Sequence, residues 1–179
     1  MTIKAQAKVE GHETTRSGER VLIRPVRPED SGLYAEFLAD VSAEDLRSRF
    51  FAHVDELSAD EINRLGHLNY RYEMAFIALD EDTGRMLGLV RLKDELDEET
   101  TEFAILIRSP LKGHGVGWLL MRRIIDYAKE KSLRRVYGDV LVENTAMLQM
   151  CAELGFHDEE DMGSGIRRVV LDLKNTGGH

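Results

Sequence analysis

The stretch TTEFAILIRSPLKGHGVGWLLMRRIIDYAKEK, Thr100 to Lys131, decides the fold. Thr100 to Arg108 is rich in aromatic and β-favouring residues and reads as a strand. Ser109-Pro110 interrupts it, and three glycines, Gly113, Gly115 and Gly117, follow. Val116, Leu120, Ile124 and Tyr127 then recur at helical spacing, so the glycine-rich loop stands at the amino end of an amphipathic helix. Successive backbone amides in such a loop can approach a ligand unhindered, and the helix dipole adds positive potential. That combination suits a phosphate group.

Working outward, RRVYGDVLV (Arg134 to Val142) reads as the next strand. Glu143-Asn144 opens the helix TAMLQMCAEL, Gly155 stops it, and GIRRVVLDL (Gly165 to Leu173) is a last strand. Upstream, EMAFIALD (Glu73 to Asp80), an Asp82-Thr83-Gly84 turn and MLGLVRLKD (Met86 to Asp94) spell an antiparallel hairpin. The carboxylate-rich turn Asp94 to Glu99 leads from it into the deciding strand. VLIRPV (Val21 to Val26) is a first strand, and PEDSGLYAEFLADV (Pro28 to Val41) reads as a helix. Two further helical pieces are expected at AEDLRSRFF (Ala43 to Phe51) and after Ser58, where Glu61 completes a capping-box spacing. The class is α+β, with a hairpin half and a β-α-β half. Residues 1–19 show neither strand nor helix period and read as a flexible leader whose removal should cost little stability; 20–174 form one domain, and 175–179 a tail.

The chain has 179 residues, 42% hydrophobic and 32% charged, enough for one ordinary core. Its formal charge of −9 offers no general attraction to nucleic acid or to an anionic bilayer. No apolar run is long enough for a membrane helix and the first residues lack a secretory h-region, so a cytoplasmic protein is expected. The single cysteine, Cys151, excludes an intrachain disulfide. The six histidines, His114 in the loop among them, show no metal-ligand spacing, and no metal is expected.

Three phosphate-binding readings compete for the loop. A nucleotide P-loop needs Gly-Lys followed by Ser or Thr, whereas Trp118 follows Gly117. A dinucleotide fingerprint needs Gly or Ala where Leu120 stands. The third is an acyl-CoA pyrophosphate loop, [QR]-x-x-G-x-[GA], matched at Lys112, Gly115 and Gly117 with Lys in the first place. A glycine-rich turn without any ligand stands beside them, because glycine clusters also occur where helix and strand pack closely.

IRPVRPED (Ile23 to Asp30), SAEDLRSRFF (Ser42 to Phe51), TEFAILIR (Thr101 to Arg108), KGHGVG and ENTAMLQMCAELGF (Glu143 to Phe156) together resemble the GNAT acetyltransferase superfamily, from about Arg20 to Leu173. The resemblance is nearest to the catalytic domain of bacterial protein lysine acetyltransferases that modify acyl-CoA synthetases. It implies the GNAT fold, a mixed central β-sheet flanked by helices, with acyl-CoA entering between two splayed parallel strands. Acetyl-CoA is then the cosubstrate, and the partner is a protein with an acceptor lysine, such as an acyl-CoA synthetase. The backbone around Leu106 and Ile107 would pair with the pantetheine arm. Lys112, Gly113, His114, Gly115, Val116 and Gly117 would surround the pyrophosphate. Asn144 and Met147 would line the same cleft, although Asn144 also reads as a simple helix cap.

Acetylating a lysine requires removing a proton from an amine whose ordinary pKa is about 10.4, which costs roughly 4.6 kcal/mol at pH 7. Glu102 shares a strand face with Ala104 and Leu106, and it matches the glutamate of the lysine-acetyltransferase pattern. It is the expected general base, with its pKa raised by partial burial. The alternative is a solvated strand-end carboxylate. Many superfamily members carry Tyr seven residues after the Asn as general acid; Cys151 stands at that position, and as a lone cysteine in an amphipathic helix it reads as core rather than nucleophile. Arg47, Arg49, Phe50 and Phe51 are candidates for shaping the acceptor groove. An acceptor of another kind, a small amine or a protein N-terminus, and a non-catalytic acyl-CoA-binding module remain the alternatives.

Overall fold

A computed structural model describes residues 10–42, 69–111, 113, 115–161 and 165–173. The two helical pieces expected within 43–68, with Arg47, Arg49, Phe50 and Phe51, lie outside them, as do Lys112, His114 and the tail. Among the described residues eight strands make one sheet. In chain order the elements are β1 (Gly11–Thr14), β2 (Arg20–Pro25), α1 (Ser31–Ala39), β3 (Glu73–Asp80), β4 (Met86–Asp94), β5 (Thr100–Ile107), α2 (Val116–Glu130), β6 (Arg135–Leu141), α3 (Thr145–Glu153), β7 (His157–Asp161) and β8 (Ile166–Asp172). The strand order is β1-β2-β3-β4-β5-β6-β8-β7. β5 and β6 are its one parallel pair, as their helical crossover through α2 requires.

Residues 11–14 correct the expectation of a patternless leader, since they pair antiparallel with Arg20 to Ile23 of β2. β7, likewise absent from the sequence reading, pairs antiparallel with β8. Their sequences, GHET and HDEED, hide them: they are the two outer strands of the sheet, where His12 to Thr14 and His157 to Glu159 meet solvent, and polar residues at such an edge discourage further pairing.

Both faces of the sheet are covered, so β3 at its centre is buried from Glu73 to Leu79 and shows the continuous apolar run of a doubly covered strand. On one face α2 lays Leu120, Met121 and Ile124 against Phe76, Val90 and Phe103. On the other, Tyr34 and Phe37 of α1 pack on Ala75, Ile77 and Leu106. Each large apolar side chain so buried contributes roughly 1.5–3 kcal/mol. Arg24 and Asp30 form a buried ion pair at 2.7 Å, and Asp30 also accepts the Arg27 N–H at 2.7 Å, which fixes the turn from β2 into α1. At the end of β5 the buried Arg108 guanidinium donates to the Met86 carbonyl at 2.6 Å and reaches Glu36 and Asp40 at 2.7 and 3.1 Å. It ties α1 to the strand that leads into the glycine loop.

Candidate active site

β5 and β6 pair only through Thr100, Thr101 and Glu102 against Arg135, Val136 and Tyr137. β5 remains hydrogen-bonded to β4 as far as Ile107. Beyond Glu102, therefore, the other edge of β5 has no strand partner among the described residues, and its backbone borders a cleft. Phe103 and Gly138 meet where the strands part: a Cβ at Gly138 would come within 2.4 Å of the Phe103 ring. That ring, held edge-on against Phe156 with centroids 5.5 Å apart, occupies the space where a side chain of β6 would otherwise stand. The glycine admits the ring at the point where the strands part.

The cleft encloses about 540 Å³. One wall is β5 from Glu102 to Ile107; another is α3, with Met147 and Met150; the glycine loop and the start of α2 close one end. Gly115 is the N-cap of α2 with φ +100°, a conformation that strains any residue bearing a Cβ, and it offers no side chain to cap the helix. The first N–H groups of a helix have no carbonyl partner within it, so those of Val116, Gly117 and Trp118 lie at an end suited to an anion. A phosphate-bearing acyl carrier with an extended amide arm fits this set: amides and positive potential at one end, an open strand edge along the middle.

Of the residues expected to hold acyl-CoA, the structure gathers Leu106, Ile107, Gly113, Gly115, Gly117, Asn144 and Met147 around one cleft. Val116 is not among them: the residue is 1% exposed and packs against the sheet. Asn144 is the N-cap of α3, its Oδ1 accepting the Met147 N–H at 3.2 Å, while it also lines the cleft.

Glu102 lines the cleft on the strand face opposite Phe103. Register places Lys93 of β4 on one side of it and Tyr137 of β6 on the other, with Arg91 beside Ala104. Arg168 of β8 stacks on the Tyr137 ring at 4.5 Å and binds Asp139 through Nε at 2.8 Å and a second nitrogen at 3.1 Å. The hydrogen bond to Asp139 comes first in holding this guanidinium in its charged form, and the negative charge of Glu102 adds to it. Burial, a hydrogen bond to Glu95 and the charge of Glu102 push the Tyr137 phenol up, so it stays protonated. Glu102 thus sits among polar and cationic neighbours, Arg91, Lys93 and Arg168. The solvated strand-end picture omits that setting.

Cys151 is fully buried in the core, and burial pushes its thiol up to about 12. It supplies neither thiolate nor acid to the cleft. Sequence reasoning passed over Arg16, Arg91, Lys93 and Asp139, which all line the cleft. Alternation along β4 was a usable signal for Arg91 and Lys93, which share a parity and therefore a face. For Arg16 there was no local signal.

Among the described residues, no cluster of three or more His, Cys, Asp or Glu side chains is arranged to hold a metal, and no helix is long and apolar enough to cross a membrane. A family model described as an acetyltransferase (GNAT) domain matches residues 20–157. The chain is 33% identical over 175 residues to an acetyltransferase of Pseudomonas aeruginosa, spanning 93% of this chain and 94% of that protein. Among solved structures it is similar to the GNAT domain of S. lividans PAT, at 26% identity and a TM-score of 0.87, covering 93% of this chain and 98% of the other. A spermidine N-acetyltransferase from Vibrio cholerae, in complex with CoA and spermine, shares the fold at 23% identity and a TM-score of 0.69, with 86% and 96% coverage.

Proposed function

The chain belongs to the GNAT acetyltransferase family, and from that premise we propose that it moves an acetyl group from acetyl-CoA to a lysine side chain of a protein. The observation that carries the proposal is the β5–β6 ladder that stops after Glu102 and leaves an open strand edge leading to a helix N-terminus. Acetyl-CoA lies with its diphosphate against the amides of residues 113–117 and its pantetheine arm along Leu106 and Ile107. The acceptor enters from the Glu102 side. Glu102, directly or through one water, takes the amine proton; the amine lone pair then attacks the thioester carbonyl carbon. The carbonyl oxygen gains the negative charge, which a backbone amide near Ile107 stabilises. As the tetrahedral species collapses, the C–S bond breaks, CoA departs as its thiolate, and the second proton left on the nitrogen passes to solvent water or to that thiolate. A thiolate is a good leaving group, so a core Cys151 in place of the familiar tyrosine does not block the route.

The protein-lysine acceptor is supported by the sequence resemblance to acetyltransferases acting on acyl-CoA synthetases. Incubation with acetyl-CoA and, separately, an acyl-CoA synthetase, spermidine and N-terminal peptides, read by thiol release and mass spectrometry, tests it. Acetylated lysine on the synthetase is the expected product. Turnover of spermidine or of N-terminal peptides alone overturns the protein-lysine assignment. Tight CoA binding with no turnover of any amine favours a binding module.

A further inference from the structure

Arg16 stands in the turn between β1 and β2, nearly a hundred residues from the glycine loop in sequence. The turn is well defined. Thr15 N–H donates to the Glu19 carbonyl at 2.9 Å, and Gly18 N–H donates to the Thr15 carbonyl at 3.0 Å. The Thr15 hydroxyl accepts the Glu19 N–H at 3.1 Å and donates to the Glu19 carboxylate. The turn packs directly on the loop: a Cβ built on Gly115 would lie 3.4 Å from the Arg16 backbone nitrogen, 3.6 Å from the Thr15 Cβ and 3.9 Å from Arg16 Nε. Its guanidinium therefore borders the cleft at the end where the amides of α2 point.

The charges around it are informative. With nine more acidic than basic side chains, this chain offers carboxylates freely, and Arg20, Arg24, Arg27 and Arg85 each find one. Among the described residues Arg16 pairs with none, neither with Glu13 nor with Glu19, the two carboxylates three residues away, of which Glu19 is held by Thr15. An exposed guanidinium without a carboxylate among the described residues, on a structured turn packed against a helix N-terminus, is arranged for an anion that is not part of the chain.

We propose that Arg16 is a phosphate ligand for bound CoA, supplied by the amino-terminal hairpin rather than by the glycine loop. The inference rests on the CoA reading of the cleft and adds a residue to it. Its position beside Gly115 favours the diphosphate; the 3′-phosphate presents the same chemistry from a second source.

Calorimetric titration of wild-type, Arg16→Ala and Arg16→Lys full-length chains with CoA and with dephospho-CoA tests the assignment. Arg16→Ala should bind both ligands about tenfold more weakly, the loss expected for one charge-assisted hydrogen bond. It should also show a shallower dependence of affinity on salt, while Arg16→Lys recovers part of the loss. In turnover the KM for acetyl-CoA should rise with kcat nearly retained, and the melting temperature should stay within a degree or so, because among the described residues the side chain makes no ion pair that folding would lose. A loss seen with CoA and not with dephospho-CoA supports the ligand role and moves the contact to the 3′-phosphate. Equal CoA affinities for wild type and Arg16→Ala overturn the inference and leave the CoA reading intact. Absence of CoA binding by the wild type overturns the CoA reading itself.

Discussion

Glu102 owes its proposed role to what stands next to it. Lys93 across one ladder and Tyr137 across the other put a cation and a protonated phenol beside its backbone, and Arg168 reaches the same region from β8. Replacement by Gln keeps the shape and removes the proton acceptor, so Glu102→Gln should lower kcat at neutral pH by about 10²- to 10⁴-fold. CoA affinity, measured separately by calorimetry, should change little; undiminished turnover would remove Glu102 from the mechanism. Cys151 makes the opposite case. With the thiol buried and pushed up to about 12, iodoacetamide at pH 8 should leave the native chain unmodified and alkylate it only once denaturant is added. Rapid labelling of the native protein would contradict the core placement.

At the scale of elements, an aromatic ring fills the place of a missing side chain where β5 and β6 part. Gly138→Ala sets a methyl 2.4 Å from the Phe103 ring, so ring or strand must move. Overpacking of this kind costs about 1–3 kcal/mol, which a shift in the urea midpoint at constant m-value would report. No shift would mean that the ring has room for the added methyl. The tie between α1 and the end of β5 carries a pH signature. Hydrogen bonds from Arg108 first, then from Arg85, lower the Glu36 carboxyl from an ordinary 4.5 to about 2. A depressed folded-state pKa contributes stability that is present above 4.5 and lost as pH falls toward 2. Glu36→Gln should therefore be less stable than wild type at pH 7, and the two urea midpoints should approach each other below pH 4.5 and meet only as the pH falls through about 2. A gap of constant size would show that the carboxylate's charge contributes nothing.

For the whole molecule, the amino-terminal hairpin matters more than its composition suggests. β1 pairs with the outer edge of β2, and the turn after it packs on Gly115. A chain beginning at Arg20 should melt about 5 °C lower and bind CoA more weakly, against the sequence expectation that residues 1–19 cost little to remove. Differential scanning calorimetry of both chains decides between these outcomes. The strand-loop-helix at Thr100 to Lys131, the central hairpin and the α+β class were legible because burial on one or both faces imposes a period on residues close in sequence. The same local pattern singled out the glycines, whereas Glu102 and Asn144 were singled out by the resemblance to the GNAT superfamily, with strand parity setting the face of Glu102. β1 and β7 were not legible, because an outer strand meets solvent and its polar residues carry no such period. Nor were Arg16, Asp139 and the wedge of Phe103 over Gly138: each draws its meaning from a neighbour dozens of residues away, and sequence spacing holds no record of a distance that only sheet pairing and helix packing create.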